Sequence, residues 1–372
     1  MAPSSAPVPR RRLLRSAAAL AATGVGGRTA GAADATELSV LTRNLYVGVD
    51  LSRLFDVEDV ADLRAVAGDL LAEIRAHPYD ARAAGIAGEV AASRPDVVCV
   101  QEAALIRTRD PGQFDGDHDP GAETVEVDLL SSVADRLAAR GLDYDIAATV
   151  VTNDVEVPAD ADDGPVDLRL TNRVAVLVRE PVTVTGRRSS LFDAGVPVPM
   201  EGVDVTIRRG YAGVDLEVAG RPVTVLSTHL ESFLAGIRDA QAAELTTSLP
   251  AARPAVVAGD FNAGPDSSPE TYRRLRSAFE DAHAARRPAA AGPTCCHADG
   301  LRNDVATLTR RVDGVLYRGG VAATAVERVG AAPADRVRAE AEPQDGFGLL
   351  AGVLAGLSAA LAARRRRGGD GA

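Results

Sequence analysis

Short runs of β-branched and aliphatic residues that stop abruptly at polar side chains recur along this chain. They are interleaved with longer stretches whose apolar positions fall at helical spacing. Leu38–Asn44 reads as a first strand. Val57–Ala76 and Ala81–Ser93 carry helical periodicity, and Pro95 ends the second. Asp96–Gln101 is an apolar strand, residues 103–123 are a polar loop rich in Gly, Pro and Asp, and Thr124–Arg140 predicts an amphipathic helix. Strands are expected near 143–151, 168–178, 181–187, 203–208, 211–218 and 222–228, with 153–167 as a loop. Glu231–Leu249 predicts a helix, followed by a strand that ends in Asp260. Pro269 opens a short helix, 286–303 form a loop, and strands resume near 312–317 and 321–329.

Helices separate some strands, while the middle of the chain is a run of strands joined by tight turns. That mixture predicts an α/β fold, a four-layer αββα sandwich of two packed mixed β-sheets with outer helices. No strand runs into a Gly-rich phosphate loop, which argues against a nucleotide-cofactor fold. The expected organisation is an export signal over 1–32, one domain over 36–355, and an Ala/Arg-rich tail over 356–372.

Composition adds further constraints. The 372-residue chain is 46% hydrophobic, enough for a real core, and its formal charge is −11. An acidic body disfavours non-specific binding to long nucleic acid but leaves room for a small phosphate ester at a local site. Arg10-Arg11-Arg12-Leu13-Leu14-Arg15, a small-residue stretch and Ala30-Gly31-Ala32 resemble a bacterial twin-arginine signal, so the protein is expected to be exported, secreted or retained in the cell envelope. Three cysteines make no disulfide framework. Cys99 sits in a buried strand, and the adjacent Cys295 and Cys296 are either a vicinal disulfide or two inert thiols. Phe347–Ala363 carries no charge and precedes four arginines. It reads as a final core strand plus a short helix, or as a C-terminal membrane anchor at the lower limit of spanning length.

The chemistry lies at the strand ends. Val256-Val257-Ala258 runs into Gly259-Asp260-Phe261-Asn262, and strand alternation places Asp260 and Asn262 on one side. Val97–Val100 ends in Gln101-Glu102, Val223–Ser227 in Thr228-His229, and Val40–Arg43 in Asn44. Asp313 stands inside the apolar run 311–316. One such carboxylate is usually a cap or a solvated turn; several converging strand ends assemble a polar site on a rigid scaffold. Carboxylates and carboxamides without sulfur suit a hard cation, Mg²⁺ or Mn²⁺, with His229 and Arg173 as donors to a phosphoryl group.

These segments, in this order, resemble the endonuclease/exonuclease/phosphatase superfamily of metal-dependent phosphodiesterases and phosphatases. The anchors are Thr42–Tyr46, Pro95–Glu102, Ser227–Leu230, Gly259–Asn262 and Arg311–Asp313, within a match from about Leu38 to Leu350. Thr294-Cys295-Cys296-His297 with Leu301-Arg302-Asn303 is similar to exported bacterial members. The resemblance implies that Glu102 is the principal metal ligand with Asn44 beside it. It further implies that Asp260 positions the attacking water, and that Asn262, His229 and Arg173 bind the phosphate. Asp313 would lie at the site floor as an acidic partner of the metal centre or of His229. The family closes with Ser-Asp-His. Here Asp345 is present, but Gly346 stands where the histidine belongs, and glycine carries no acid or base. The expectation is an exported, monomeric phosphoesterase impaired in catalysis, with His297 the candidate substitute for the absent histidine. The alternative is a non-catalytic envelope protein that binds a phosphorylated ligand or partner. The substrate has no readable motif.

Overall fold

All four residues of Val97-Val98-Cys99-Val100 are buried, because the strand is covered on both faces. Val97 and Cys99 point into a core shared by two sheets, while Val98 and Val100 point into a second core beneath helices. Ala255–Asp260 repeats the arrangement in the other sheet. Val256 and Ala258 face the shared core, and Ala255 and Val257 face a third core. Burying each such Val on folding contributes about 1.5–3 kcal/mol. Continuous apolar runs of this kind therefore require layers on both sides.

The computed structural model describes residues 37–114, 120–200, 203–218, 220–296 and 307–330. The first half comprises β1 (Val40–Asn44), α1 (Val60–Ala76), α2 (Tyr79–Ser93), β2 (Val97–Gln101), β3 (Leu105–Arg109), β4 (Thr124–Asp128), α3 (Leu129–Ala138), β5 (Tyr144–Ala161) and β6 (Gly164–Arg179). The second comprises β7 (Val184–Leu191), β8 (Val196–Met200), β9 (Val203–Ile207), β10 (Gly210–Val218), β11 (Arg221–His229), α4 (Ala235–Thr247), β12 (Ala255–Asp260), α5 (Pro269–Arg276), β13 (Glu280–Asp281), α6 (Ala282–Arg286) and β14 (Asp313–Arg318). One sheet has the order β1-β2-β6-β3-β4, with β5 paired along β6; the other has the order β13-β14-β12-β11-β10-β7. Helices α1, α2 and α3 cover the first sheet, and α4 and α5 cover the second. The expected four-layer αββα sandwich is the observed architecture.

Several local expectations are corrected. Thr124–Asp128 is a strand rather than the start of a helix: its β-branched residues pair with β3, and Asp128 then caps α3 by accepting Leu130 N–H and Ser131 N–H at 3.1 Å. Residues 105–109, expected in a loop, form that pairing strand. Residues 153–167 are the far end of the β5–β6 hairpin, where alternating Val155, Val157, Val166 and Leu168 reach the helix-covered core. Residues 321–329 form no strand; Val321, Ala323 and Val326 lie against the inter-sheet core without a ladder partner. Residues 1–36, the segment 297–306 with His297, Arg302 and Asn303, and everything from 331 onward, including Asp345, Gly346 and the Phe347–Ala363 stretch, lie outside the described residues. Among the described residues no helix is long and apolar enough to cross a membrane.

Parallel pairing is what gathers the polar tips. β1 runs parallel to β2, ending together at Asn44 and Gln101, and β11 runs parallel to β12, ending together at His229 and Asp260. The second pair is held close by Gly259, where an added Cβ would meet Thr228 O of the neighbouring strand at 2.1 Å. Gly259→Ala is therefore expected to destabilise the protein by about 1–3 kcal/mol through overpacking. Chemical denaturation measures this; an unchanged midpoint would show that the strands can part without cost.

Candidate active site

Asn44, Glu102, His229, Asp260 and Asn262 sit at, or one to two residues past, the end of a buried strand, and Asp313 opens β14. Asn44 ends β1 and is fully buried. Its Nδ2 donates to Glu102 Oε1 at 2.9 Å and to Asp260 Oδ2 at 3.1 Å, while its Oδ1 accepts Tyr46 N–H at 3.0 Å. The last bond fixes the orientation of the amide. Asn44 thus turns its N–H₂ group, not its oxygen, toward the carboxylates.

Glu102 follows β2 and has φ 50°; Asn262 follows β12 at φ 47°, and Tyr46 follows β1 at φ 55°. These left-handed turns re-aim the side chains at the strand ends, and strained non-glycine backbone of this kind concentrates at functional sites. For Asn262 the turn replaces the strand-alternation reading. β12 stops at Asp260, and Asn262 returns to the same place because its N–H donates to Asp260 Oδ1 at 2.9 Å. Asn262 Nδ2 lies 3.1 Å from His229 Nε2 and donates to Leu230 O at 2.9 Å. His229 Nε2 is 3.9 Å from Asp260 Oδ2. Asp313 begins β14 opposite Asp260 in register; its N–H donates to Thr294 Oγ1 at 3.1 Å, and both carboxylate oxygens are buried without a hydrogen-bond partner.

The structure therefore brings together Asn44, Glu102, His229, Asp260, Asn262 and Asp313. Arg173 is different. Its Nε donates to Ala103 O at 2.7 Å, and a terminal nitrogen pairs with Asp128. The guanidinium is thus tied to the turn that follows Glu102 and to Asp128. Arg209 and Glu231 were not singled out in the sequence. Arg209, 7% exposed, places a terminal nitrogen 3.2 Å from His229 Nδ1 and its Nε 3.5 Å from Glu231 Oε2. In a chain with arginine throughout, nothing marked this one; only the proximity of Arg208-Arg209 to a strand start could have pointed to it. Cys295 and Cys296 are bonded to each other.

Burial dominates the electrostatics. It raises the Glu102 and Asp260 carboxyls against the lowering effect of Asn44, and it raises Asp313 well above the usual range with help from the neighbouring Asp260 charge. Burial, then the charge of Arg209, holds His229 well below the usual histidine range, so the ring is neutral at physiological pH. Three carboxyl groups are thus short of positive charge while a neutral imidazole and a carboxamide stand beside them.

The three carboxyl groups offer oxygen donors of the kind that suit a hard cation. Among the described residues no three His, Cys, Asp or Glu side chains converge tightly enough to enclose an ion. The orphaned oxygens of Asp313 are a further sign of acceptor capacity left over in the site.

No curated protein sequence matches the chain. Among solved structures it is similar to an endonuclease/exonuclease/phosphatase family protein from Leptotrichia buccalis C-1013-b (15% identity, covering 63% of this chain and 80% of that one, TM-score 0.43). It is also similar to a mannosyl-6-phosphatase from Bacteroides thetaiotaomicron VPI-5482 (16%, 76% and 85%, 0.44) and to truncated TDP2 from Caenorhabditis elegans (17%, 70% and 81%, 0.40). The model of the endonuclease/exonuclease/phosphatase family matches residues 66–345, a span that takes in Glu102, His229, Asp260, Asn262 and Asp313. With well over half its length matched, the chain belongs to the endonuclease/exonuclease/phosphatase family.

Proposed function

We propose that the protein is a Mg²⁺- or Mn²⁺-dependent phosphoesterase that hydrolyses a phosphodiester or phosphomonoester slowly. The observation that carries this reading is the position of Asp260. One oxygen shares the Asn44 N–H₂ group with Glu102, and the other accepts from Asn262, whose amide faces His229. An acidic side for a cation and a donor side for an oxyanion meet at that carboxylate.

Enzymes of this family are generally dependent on a divalent metal. Glu102 would hold the ion, which supplies Lewis acidity to a phosphoryl oxygen. Asn44 orients the Glu102 and Asp260 carboxylates. Asp260 positions the attacking water and takes its proton. His229 Nε2 and Asn262 Nδ2 hydrogen-bond the phosphoryl oxygens. The bond from phosphorus to the water oxygen forms as the ester P–O bond breaks, and the departing alkoxide needs a proton. By resemblance that proton carrier is the histidine replaced by Gly346, next to Asp345, which supports impaired turnover. The same substitution favours a second reading, a non-catalytic envelope protein that binds a phosphorylated ligand; it predicts thermal stabilisation by metal and phosphate ester without turnover.

The N-terminal arginine segment supports export, and the acidic composition supports a small ester or lipid head group over long nucleic acid. Residues 347–363 are the segment proposed for association with a membrane. The protein is proposed to act as a monomer.

Hydrolysis of bis-p-nitrophenyl phosphate with Mg²⁺ or Mn²⁺ tests the reading. The protein should turn over slowly, Gly346→His should raise the rate by about 10²-fold or more, and Glu102→Ala should abolish it. Full activity that Gly346→His leaves unchanged would refute the impairment.

Asp313 gives a pH test. Its folded pKa lies above its unfolded value, so the stability it contributes is complete below about pH 4 and is lost as pH rises through the raised pKa. In the metal-free protein Asp313→Asn should therefore gain stability relative to wild type as pH rises, by about 1–3 kcal/mol near neutrality. Equal pH profiles for the two proteins would show that the carboxyl is not held protonated.

A further inference from the structure

Arg209 carries a guanidinium into a site built around carboxylates, and its backbone is fixed from three directions. Its carbonyl accepts Phe192 N–H at 2.9 Å. On one side, the Asn153 side chain clamps Arg208, with Oδ1 accepting Arg208 N–H at 2.8 Å and Nδ2 donating to Arg208 O at 3.1 Å. On the other, Gly210 O accepts Thr228 Oγ1 at 2.9 Å, which ties the segment to the strand that carries His229. Asn153 is free for this task because the β5–β6 register slips between Val151 and Asn153.

The contact with His229 has a chemical consequence. A guanidinium carries only N–H donors and stays protonated, so the nitrogen that faces it, Nδ1, must be the acceptor. A neutral imidazole has one proton; both ring nitrogens face N–H donors here, and the charged guanidinium makes the stronger claim on a lone pair, which leaves Nε2 to carry the proton. Burial and the Arg209 charge both favour the neutral ring. On the Nε2 side stand Asn262 Nδ2 at 3.1 Å and Asp260 Oδ2 at 3.9 Å. The Asn262 amide has its own orientation set by Leu230 O, so two N–H groups face the same space. An anionic oxygen is the acceptor that would take both. An acidic partner at Nδ1 would have done the reverse, holding the proton there and leaving Nε2 as a base.

We propose that Arg209 is a positioning residue that fixes His229 as the Nε2–H tautomer, making the histidine a hydrogen-bond donor to a phosphoryl oxygen and not a proton carrier. The tautomer follows from the site alone; the oxyanion rests on the phosphoesterase reading. It also means that His229 does not replace the histidine absent at Gly346.

The test is the two-bond ¹H–¹⁵N spectrum of the imidazoles in the ¹⁵N-labelled full chain near neutral pH, with the His229 signals identified by their loss in His229→Asn. Wild type should show an unprotonated Nδ1 and a protonated Nε2. Arg209→Lys, which keeps a donor, should preserve that pattern. Arg209→Met should shift His229 toward the Nδ1–H form or a mixture. A protonated Nδ1 in wild type overturns the proposal even if Arg209→Met does not fold, and an unchanged Nε2–H pattern in folded Arg209→Met overturns the role of Arg209. Mg²⁺ with inorganic phosphate should then move the Nε2 signal in wild type. No movement with the tautomer as expected would overturn the donor role and the phosphoesterase reading while leaving the tautomer assignment standing.

Discussion

The Asn44 carboxamide is the joint on which the candidate site depends. It is buried at the end of a strand in one sheet, and its single N–H₂ group reaches Glu102 of its own sheet and Asp260 of the other. Two carboxylates on separate sheets are thereby tied to one amide. The third bond, from Tyr46 N–H to Asn44 Oδ1, prevents the amide from turning over. Remove that carboxamide and two buried acids face each other without a donor between them, an arrangement that burial already makes unfavourable. The sheets supply the rigidity. Gln101 Nε2 donates to Ser227 Oγ at 2.9 Å across the sandwich, one layer below the site, so the strand ends cannot drift independently.

The rest of the site divides around that joint by polarity. On one side stand Glu102, Asp260 and Asp313, the last with both carboxylate oxygens buried without a hydrogen-bond partner. On the other stand Asn262 and His229, backed by Arg209. Under the proposed function, a hard cation would sit on the first half and an oxyanion on the second. Arg173 contributes at one remove: by holding Ala103 and Asp128 it fixes the turn after Glu102.

Much of this was legible in the sequence because buried strands with polar tips leave a clear trace. The runs before Gln101-Glu102 and before Asp260 are apolar without interruption, those before Asn44 and His229 carry Thr and Arg or Thr and Ser among their apolar residues, and each run ends at a site residue. What was not legible depends on long-range partners. Thr124–Asp128 has helical neighbours in sequence and becomes a strand only because β3 offers an edge. The alternation argument for Asp260 and Asn262 reached the correct juxtaposition by the wrong route, since a left-handed turn and a backbone hydrogen bond bring Asn262 back. Arg209 was hidden among many arginines, and its meaning lies in which imidazole nitrogen it meets, a fact that no spacing rule encodes.

The central claim is that the strand tips hold one hard cation next to a phosphate. Anomalous diffraction from a crystal soaked in Mn²⁺ and a phosphate ester would test it most directly. The account predicts a single strong manganese peak ligated by Glu102, with a phosphate oxygen on the metal and another oxygen against Asn262 and His229. Manganese bound elsewhere, or a phosphate seated away from Asn262 and His229 while Glu102 stays empty, would contradict it.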